Sequence, residues 1–246
     1  MNPTILFEND DVIVINKPAG LLVHEDEETS AAETVAGWAV SYIPALAGVG
    51  EPGRSPQGKA LERSGVVHRL DRDTSGALIL AKHQAAYEWL KQQFHDRLVK
   101  KEYRAFVYGR VHDRWGTIDR PIGRSAKDFR LRSAQKGAKG LLRAAVTDYE
   151  RIGVGEYDGE SFSYLKLIPK TGRTHQLRVH LKAIDRPIVA DTLYAPTFVE
   201  RSNNLGLERL ALHAHVLELI LPSGESERFV APVPQAFEEA AERIAE

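Results

Sequence analysis

Near the N-terminus, alternating apolar and polar runs predict two short strands. The stretch TILFENDDVIVINKPAGLLVH contains two apolar runs separated by an acidic turn, and its KPAG segment supplies a second turn. A further apolar run, ALILA at residues 77–81, lies between Gly76 and Lys82 and is typical of a buried strand. Four more segments are predicted to be strands, namely EYRAFVYGRV, LLRAAVTDYERIG, SFSYLKLIP and LALHAHVLELILP.

Four segments carry apolar residues at helical spacing. The stretch TSAAETVAGWAVSYI offers Thr29 or Ser30 as an N-cap, and THQLRVHLKAI offers Thr174. HQAAYEWLKQQFHDR and PQAFEEAAERIAE are the other two helix candidates. Residues 44–65 are rich in Gly and Pro and are predicted to form a loop. Strand candidates outnumber helices and do not alternate regularly with them, which favours an α+β fold with a mixed sheet over a doubly wound one.

The composition excludes several classes of protein. Of the 246 residues, 43% are hydrophobic and 27% are charged, as in ordinary globular proteins. The chain contains no cysteine, which excludes disulfides and thiolate chemistry. It has neither an apolar run of about 18 residues nor a basic start with a small-residue cleavage site. The sequence therefore predicts a soluble, cytoplasmic protein that does not enter a membrane.

The net charge of −1 conceals a strong asymmetry along the chain. Residues 1–62 carry a balance of −7, residues 63–182 a balance of +12, and residues 183–246 a balance of −6. A basic middle of this size favours an anionic partner. The alternative is that these charges are scattered over solvated faces and neutralise one another in space, and the sequence alone favours the two equally.

A dense cluster of charge immediately precedes the strand predicted at ALILA. Arg69, Asp71, Arg72 and Asp73 stand together there, and the TSG turn that follows would hold them rigidly at the strand end, as a reactive group requires. The alternative interpretation is an ion-pair cluster that only caps the strand.

A second motif, PKTGRTHQLRVHL, combines a turn with the start of a helix. Arg173 and the backbone N–H groups at the helix start predict an anion site. Arg178 lies on or near the edge of the face opposite the helix's leucines and could reach inward towards a carboxylate. This motif therefore gives the chain a second candidate functional segment.

Two further segments are typical of a protein that binds nucleic acid. Residues 124–143 contain seven Lys or Arg and one acid, which suits a phosphate backbone, although a merely solvated loop is the alternative. Phe129 in that segment could stack on a base. Tyr103 lies among several cations, a base-stacking pattern, although a tyrosine in an alternating strand commonly belongs to the core.

Four histidines leave a metal site open as an alternative. His175 and His180 lie in the second motif, and His213 and His215 lie in LHAHV. No carboxylate of recognisable spacing, no cysteine and no His-Glu-x-x-His motif accompanies them. We interpret these histidines mostly as packing or RNA-facing groups and predict no metal, with a metal-dependent hydrolase as the minority reading.

Taken together, these stretches resemble the RluA family of RNA pseudouridine synthases. The matching segments follow the family's order: NKPAGLLVH (16–24), HRLDRDTSGALILAK (68–82), KKEYRAFVYG (100–109), PKTGRTHQLRVHL (169–181), RPIVADTLYA (186–195) and LHA (212–214). The resemblance implies a mixed, mainly antiparallel sheet core flanked by helices and loops, with a central RNA-binding cleft. It also implies isomerisation of uridine to pseudouridine in structured RNA, ribosomal or transfer, without metal or cofactor.

The resemblance assigns roles by position. Asp71 matches the catalytic aspartate, and Arg178 matches the arginine that pairs with this carboxylate. Arg69 matches the arginine that occupies the space of the flipped nucleotide. Tyr103 matches the tyrosine that stacks on the target base. Asp73 is assigned to loop structure. Further RNA contacts are predicted at Arg72, Lys127, Arg130, Arg132, Lys136, Lys139, Arg173 and His175.

The chemistry accounts for this set of residues. A carboxylate can act as nucleophile towards the ribose or as base during elimination, and both alternatives require Asp71 to be ionised. Arg178 would favour that ionised form. Extruding the target base would cost roughly a few kcal/mol, which stacking on Tyr103 would offset by about 1–3 kcal/mol. A catalytically inactive RNA-binding protein on the same fold is the alternative function.

The chain departs from the family pattern in three places, of which the Gly- and Pro-rich insert at residues 44–65 is one. The family's longer members carry a small RNA-binding module before the catalytic domain, whereas NKPAG begins here at residue 16. We therefore predict a single catalytic domain over residues 1–246, for which a monomer suffices. Ala190 stands where a glycine is common, and only a local packing change is expected there.

Overall fold

The computed structural model describes residues 2–25, 30, 33–54, 60–128, 131–201 and 203–245. The chain divides into two compact units that are interleaved in sequence. The first unit comprises Met1–Lys101 and Ala214–Pro232, and the second comprises Glu102–His213 and Val233–Glu246. Each unit is built from strands covered by helices, and each has its own hydrophobic core.

The first unit is built on strands paired in the order β1-β2-β5-β13, with β14 added to β13. Their bounds are β1 Thr4–Glu8, β2 Val12–Lys17, β5 Ser75–Ala81, β13 Leu212–Ile220 and β14 Ser226–Val230, and the short pair β3 Gly53–Arg54 and β4 Ala60–Leu61 lies between β2 and β5 in sequence. Helix α1 spans Val35–Tyr42 and helix α2 spans Gln84–His95. Every residue of β5 is buried, as its continuous apolar sequence predicts. Val14 and Ile79 are partners across the antiparallel β2–β5 pair and pack in the core with Leu90 of α2.

The second unit contains an antiparallel sheet in the order β6-β12-β11-β7 and a smaller sheet in the order β10-β8-β9. The strands are β6 Lys100–Tyr108, β7 Trp115–Asp119, β8 Ile122–Arg124, β9 Arg132–Ser133, β10 Lys139–Arg143, β11 Val146–Tyr157 and β12 Glu160–Pro169. The helices are α3 Gln176–Ala183, α4 Pro196–Arg201 and α5 Gln235–Arg243. Phe106, Phe162 and Phe237 lie in its core. No helix in the described part of the chain is long and apolar enough to cross a membrane.

This architecture confirms the predicted α+β class with a mainly antiparallel sheet. Two predicted helix caps were wrong. Thr34 caps α1 through its hydroxyl, which accepts a hydrogen bond from the Gly37 amide at 3.1 Å, whereas Ser30 lies outside the helix and Thr29 outside the described residues. Helix α3 begins after His175, which has a left-handed φ of 55° and makes no side-chain cap, so Thr174 is not the cap.

Two predicted loops contain more structure than their composition indicates. Residues 44–65 hold a short 3-10 turn at Pro44–Leu46 as well as β3 and β4, and residues 55–59 lie outside the described part. The basic segment 124–143 contributes all or part of β8, β9 and β10. Because these strands are two to five residues long and β10 is exposed throughout, no alternation of apolar and polar residues marks them in the sequence.

Candidate active site

In the first unit, the loop that carries Asp71 is anchored by its own apolar residue. Leu70 is buried, whereas Arg69 and Arg72 on either side of the Leu70–Asp71 pair are exposed and Asp71 is half-buried. The Thr74 amide donates to the Asp71 carbonyl oxygen at 3.2 Å, which closes a turn over residues 71–74. The turn predicted at Thr74-Ser75-Gly76 was wrong in position, because Ser75 already begins β5. The loop therefore presents two carboxylates, Asp71 and Asp73, and two guanidinium groups from a short, fixed stretch of backbone.

Lys17 ties this loop to the NKPAG turn. Its side chain is fully buried, and its Nζ donates to the carbonyl oxygens of Pro18 at 2.9 Å, Leu21 at 2.7 Å and Arg72 at 2.8 Å. The Gly20 amide donates to the same Arg72 carbonyl at 2.9 Å. A buried ammonium group is stable only when its donors are satisfied, and here all three acceptors are backbone carbonyls of the two motifs. The conformation next to Asp71 thus depends on a residue 54 positions earlier in the chain.

His68 fixes the other end of the loop. Its Nε2 accepts a hydrogen bond from the Ile79 amide at 3.1 Å, and its ring stacks on Phe94 with the ring centres 4.4 Å apart. Burial, assisted by the positive charge of Lys101, lowers the pKa of His68 to about 3. The ring is therefore neutral at pH 7 and carries its proton on Nδ1, since Nε2 is the acceptor.

A second neutral histidine, His24, follows the NKPAG turn. Burial first, and then the charges of Arg63 and Arg69, lower its pKa to about 4. Its Nε2 is buried and has no hydrogen-bond partner among the described residues. His24 and His68 are therefore both neutral at pH 7.

Glycine is required at position 76, where the loop enters β5. Gly76 has a φ of 120°, and a Cβ there would lie 2.1 Å from the carbonyl oxygen of Ala214. Gly76, the second residue of β5, thus permits β5 and β13 to approach each other closely.

In the second unit, Arg178 of α3 forms a buried, two-pronged salt bridge with Asp191. Its Nε lies 2.8 Å from Asp191 Oδ2 and its Nη2 lies 2.6 Å from Oδ1. The amides of Leu193 and Tyr194 also donate to Oδ1, at 3.1 and 3.0 Å. The guanidinium carbon lies 4.9 Å from the centre of the Tyr194 ring. Arg178 is therefore held rigidly by a carboxylate and an aromatic face.

Helix α3 is fixed to the sheet by a network of buried polar side chains. Gln176 accepts from the Thr171 hydroxyl at 2.7 Å and from the Arg173 amide at 3.0 Å, and donates to Thr147 Oγ1 at 3.0 Å. His180 bonds Thr147 Oγ1 and the Arg120 carbonyl oxygen, each at 2.9 Å. Because these groups are satisfied by one another, the helix and the preceding loop form one rigid support.

Tyr103 lies on β6 and is half-buried. It pairs in register with Leu167 of β12 and packs against the core of the second unit. Tyr103 therefore packs beside the core without being fully buried in it, and its stacking on a base stays a prediction.

The predicted RNA-binding residues of the second unit divide into two groups. Arg132 and His175 are half-buried and meet at Tyr194, whose hydroxyl lies 2.7 Å from His175 Nδ1 and 3.1 Å from the Arg132 amide. Arg173 is also half-buried. The exposed group consists of Lys127, Lys136 and Lys139, and Arg130 and Phe129 lie outside the described residues.

The structure thus gathers Arg69, Asp71 and Arg72 on one loop, and Arg173 and Arg178 on one loop and helix. Asp71 and Arg178 belong to different units, and their pairing stays a prediction. The sequence interpretation gave no role to Lys17, Gln176, Asp191 or Tyr194. Lys17 and Gln176 stand within matched motifs, but their importance depends on burial and on backbone acceptors distant in sequence.

The four histidines considered for a metal site are engaged elsewhere. His180 uses both ring nitrogens, His175 bonds Tyr194, and His215 Nδ1 lies 2.8 Å from the Ala231 carbonyl oxygen. The ring of His213 packs edge-on to Phe237. Within the described residues, no group of three or more histidines and carboxylates has a geometry that could hold a metal.

The chain belongs to the RNA pseudouridine synthase family. A family model described as RNA pseudouridylate synthase matches residues 11–183, a span that includes both the Asp71 loop and Arg178. An uncharacterized RNA pseudouridine synthase of Bacillus subtilis is 34% identical over 99% of this chain and 73% of its own length. Family membership agrees with the resemblance found in the motifs.

Individual relatives and solved structures agree with this assignment. An uncharacterized RNA pseudouridine synthase of Synechocystis is 39% identical over 95% of this chain, and a ribosomal large subunit pseudouridine synthase D of Xanthomonas campestris is 38% identical over 94%. The chain spans about two thirds of the length of these two relatives, 66% of each. The structure of human RNA pseudouridylate synthase domain containing 1 superposes with a TM-score of 0.73 at 28% identity, covering 95% of this chain and 84% of the human one.

Proposed function

We propose that this chain isomerises uridine to pseudouridine within an RNA strand, with Asp71 as the catalytic carboxylate. The observation that carries the proposal is the family match over residues 11–183. This span contains both HRLDRDTSG and TGRTHQLRVH, in that order. The anchored loop supports it, because Lys17 and His68 fix the backbone on both sides of Asp71. A reactive group needs such support to keep its direction.

In this reaction the bond between uracil N1 and ribose C1′ breaks, and uracil turns over. A bond then forms between uracil C5 and C1′, the C5 proton is released, and N1 takes up a proton, so that the product is an isomer of the substrate. Asp71 acts as nucleophile towards the ribose or as base in the elimination, and both routes use its ionised form. We assign to Arg178 the stabilisation of that charge. Arg69 takes the place of the extruded nucleotide, and Tyr103 stacks on the target base.

The first RNA to test is that of the large ribosomal subunit. Relatives from Borreliella burgdorferi, Nitrosomonas europaea and Xanthomonas campestris, at 35%, 36% and 38% identity, are named ribosomal large subunit pseudouridine synthase D. We propose the same class of substrate for this chain, with transfer RNA as the second class. The further RNA contacts are assigned to Arg72, Arg173, His175 and the basic segment 124–143.

The test is tritium release from transcripts labelled at uracil C5. Large-subunit ribosomal RNA and total transfer RNA are incubated separately with the wild type, Asp71→Ala and Asp73→Asn. We expect release by the wild type and by Asp73→Asn from ribosomal RNA, and none by Asp71→Ala. Asp73 is a matched control because it is an exposed carboxylate two residues away in the same loop.

Each other outcome has a definite meaning. Equal release by the wild type and by Asp71→Ala would show that Asp71 is not the catalytic residue. Release from transfer RNA alone would move the substrate to that class. RNA binding by the wild type with no release from either pool would favour the inactive RNA-binding alternative.

A further inference from the structure

A cavity of about 370 Å³ lies in the second unit, and arginine dominates its lining. Four of its nine lining residues are arginines and none is acidic. Arg124, Arg132 and Arg143 come from the three strands of the small sheet, and Arg173 comes from the loop before α3. Its volume lies near the lower end of the range for small-molecule sites, about 300–1,000 Å³, and suits a nucleotide-sized group.

The strand register places like charges directly opposite one another in this sheet. Arg124 of β8 faces Arg132 of β9 on one side and Lys139 of β10 on the other. Residues directly opposite in an antiparallel pair share a face of the sheet, and like charges there are destabilising. A row of three cations therefore opposes the folding of a sheet whose strands are already short.

No carboxylate within the described part of the chain compensates these charges. Arg124, Arg132, Arg143 and Arg173 form no salt bridge with any described residue. By contrast, other cations of the same unit, Arg114, Lys166 and Lys170, lie within 4 Å of carboxylates. Uncompensated like charge that persists around a cavity indicates a counter-charge supplied from outside the protein.

Arg173 is fixed at the wall of this cavity. Its Nε donates to the Ala144 carbonyl oxygen at 3.1 Å, and its amide donates to Gln176 Oε1 at 3.0 Å. Its terminal amino groups make no hydrogen bond to the described residues, which leaves them available to a ligand. A guanidinium group held in this way is well suited to bind phosphate through two parallel hydrogen bonds.

We propose that this arginine cavity binds a backbone phosphate of the RNA substrate. The proposal rests on the proposed function and sharpens it, since it distinguishes the four cavity arginines from the lysines of the same basic segment. Within the segment 124–143, which is already assigned to RNA contact, it singles out Arg124, Arg132 and Arg143 and joins them with Arg173 in one phosphate site. The ligand chemistry is a phosphate group, which a free phosphate ion could also provide.

The test compares two double variants that each remove two exposed arginine charges. Arg124→Gln/Arg143→Gln changes the cavity, and Arg110→Gln/Arg228→Gln changes exposed arginines that do not line it. RNA affinity is measured over a series of salt concentrations with a large-subunit ribosomal RNA transcript. For the cavity variant we expect the slope of log K against log salt to become shallower by about 1, with affinity at least ~10-fold weaker in low salt. The KM for RNA should rise while kcat at saturation is kept, and the control variant should match the wild type.

Thermal unfolding provides a second readout and identifies the source of the phosphate. Because the cavity variant relieves like-charge repulsion, it should have a Tm equal to or above that of the wild type. Inorganic phosphate alone should raise the Tm of the wild type more than that of the cavity variant. If phosphate did so while the RNA affinity and salt slope of the cavity variant stayed at wild-type values, the site would serve a free phosphate and the RNA assignment would be overturned.

The remaining outcomes separate the cavity from the proposed function. Equal salt slopes for the two double variants would overturn the cavity proposal even if the wild type modifies RNA. If the cavity variant had a shallower salt slope than the control variant, but the wild type released no tritium, the cavity proposal would be supported and the proposed function overturned. A wild type that binds no RNA would overturn both.

Discussion

At residue 190 the backbone itself conflicts with the side chain. Ala190 has a φ of 56°, in the left-handed region, and its amide donates to the Tyr108 hydroxyl at 3.1 Å. The expectation of a mere packing change was therefore incomplete, because a non-glycine residue in this region costs roughly 1–2 kcal/mol. The strain lies one residue before Asp191, the partner of Arg178. The turn that places this carboxylate is thus held by surrounding contacts against its local preference.

We predict that Ala190→Gly raises the free energy of unfolding by about 0.5–1 kcal/mol. Relief of the left-handed strain exceeds the added flexibility of glycine in the unfolded chain, which opposes it by about 0.4–1 kcal/mol. Urea denaturation measures the difference. Ala183→Gly is the matched control, and it should lower stability by about 1 kcal/mol because residue 183 has a helical backbone and a buried methyl group. A destabilised Ala190→Gly protein would contradict the strain argument.

A second prediction at this scale concerns pH. The pKa values of His68 and His24, about 3 and about 4 in the folded protein, lie below the value of about 6.5 expected for an unfolded chain. At pH values between the folded and unfolded pKa, the unfolded chain binds more protons than the folded protein, so the free energy of unfolding falls as pH decreases. The contribution is complete above about pH 6.5 and is lost progressively below it, by at most about 1.4 kcal/mol per pH unit for each histidine.

Urea denaturation between pH 7.5 and 4.5 checks this dependence. His68→Gln should make the stability less dependent on pH than that of the wild type. If the wild type and His68→Gln gave parallel curves, burial of His68 would not be the source of acid lability.

At the scale of elements, the connection between the first two motifs depends on Lys17. We predict that Lys17→Met lowers the free energy of unfolding by about 2–4 kcal/mol, because three backbone carbonyl groups, one buried and two partly buried, lose a charged donor. Lys82→Met is the control, since Lys82 forms a partly exposed salt bridge with Glu8, which should contribute no more than about 1 kcal/mol. Urea denaturation of both variants measures the difference. Equal losses in the free energy of unfolding would mean that Lys17 does not hold the two motifs together.

The elements that could be predicted from the sequence are those whose burial leaves a periodic pattern. The all-apolar β5 and the amphipathic α2 are of this kind. The caps of α1 and α3 could not be predicted from local sequence. Helix α1 begins after Thr34 because Thr34 forms a β-bridge with Leu22, and helix α3 begins after His175 because the backbone of His175 is left-handed. The small sheet escaped prediction because its exposed strands are defined by pairing and not by apolar residues.

The same limit applies to the site. Asp71, Tyr103 and Arg178 stand in motifs that can be read along the chain, so their candidacy needs no structure. The Arg178–Asp191 bridge needs the turn at Ala190, and the arginine cavity needs the register of β8, β9 and β10. Contacts that depend on how backbone segments pair carry no local pattern, and this is why sequence reasoning missed them.

At the scale of the whole molecule, folding redistributes the charge that the sequence arranges in three blocks. The first unit contains 12 basic and 17 acidic residues, and the second contains 21 basic and 17 acidic residues. The basic middle of the chain is thus divided between the units, and acidic residues from the C-terminal part join the second. The second unit thus keeps an excess of positive charge, and four of its arginines line the arginine cavity, where no described carboxylate neutralises them.

The interleaving of the units also governs how the chain can fold. The core of the first unit combines Val14 and Ile79 from the N-terminal segment with Leu217, Leu219 and Phe229 from β13 and β14. A fragment ending at Lys101 would therefore expose the apolar faces of β5 and α2 that these residues cover. We predict that residues 1–101 alone show no cooperative urea transition by circular dichroism, because the apolar burial that offsets conformational entropy is incomplete.

Joining residues 1–101 to residues 214–232 through a flexible Gly/Ser linker should restore the transition, since both parts of the core are then present. A fusion of the same length in which Leu217 and Leu219 are both changed to Ser is the matched control and should remain unfolded, because it buries two hydroxyl groups where the core requires apolar side chains. Cooperative unfolding of residues 1–101 alone would contradict the prediction. It would mean that β1, β2, β5 and α2 already contain a sufficient core, and that the return of the chain at Ala214 is not needed to form the unit that holds Asp71.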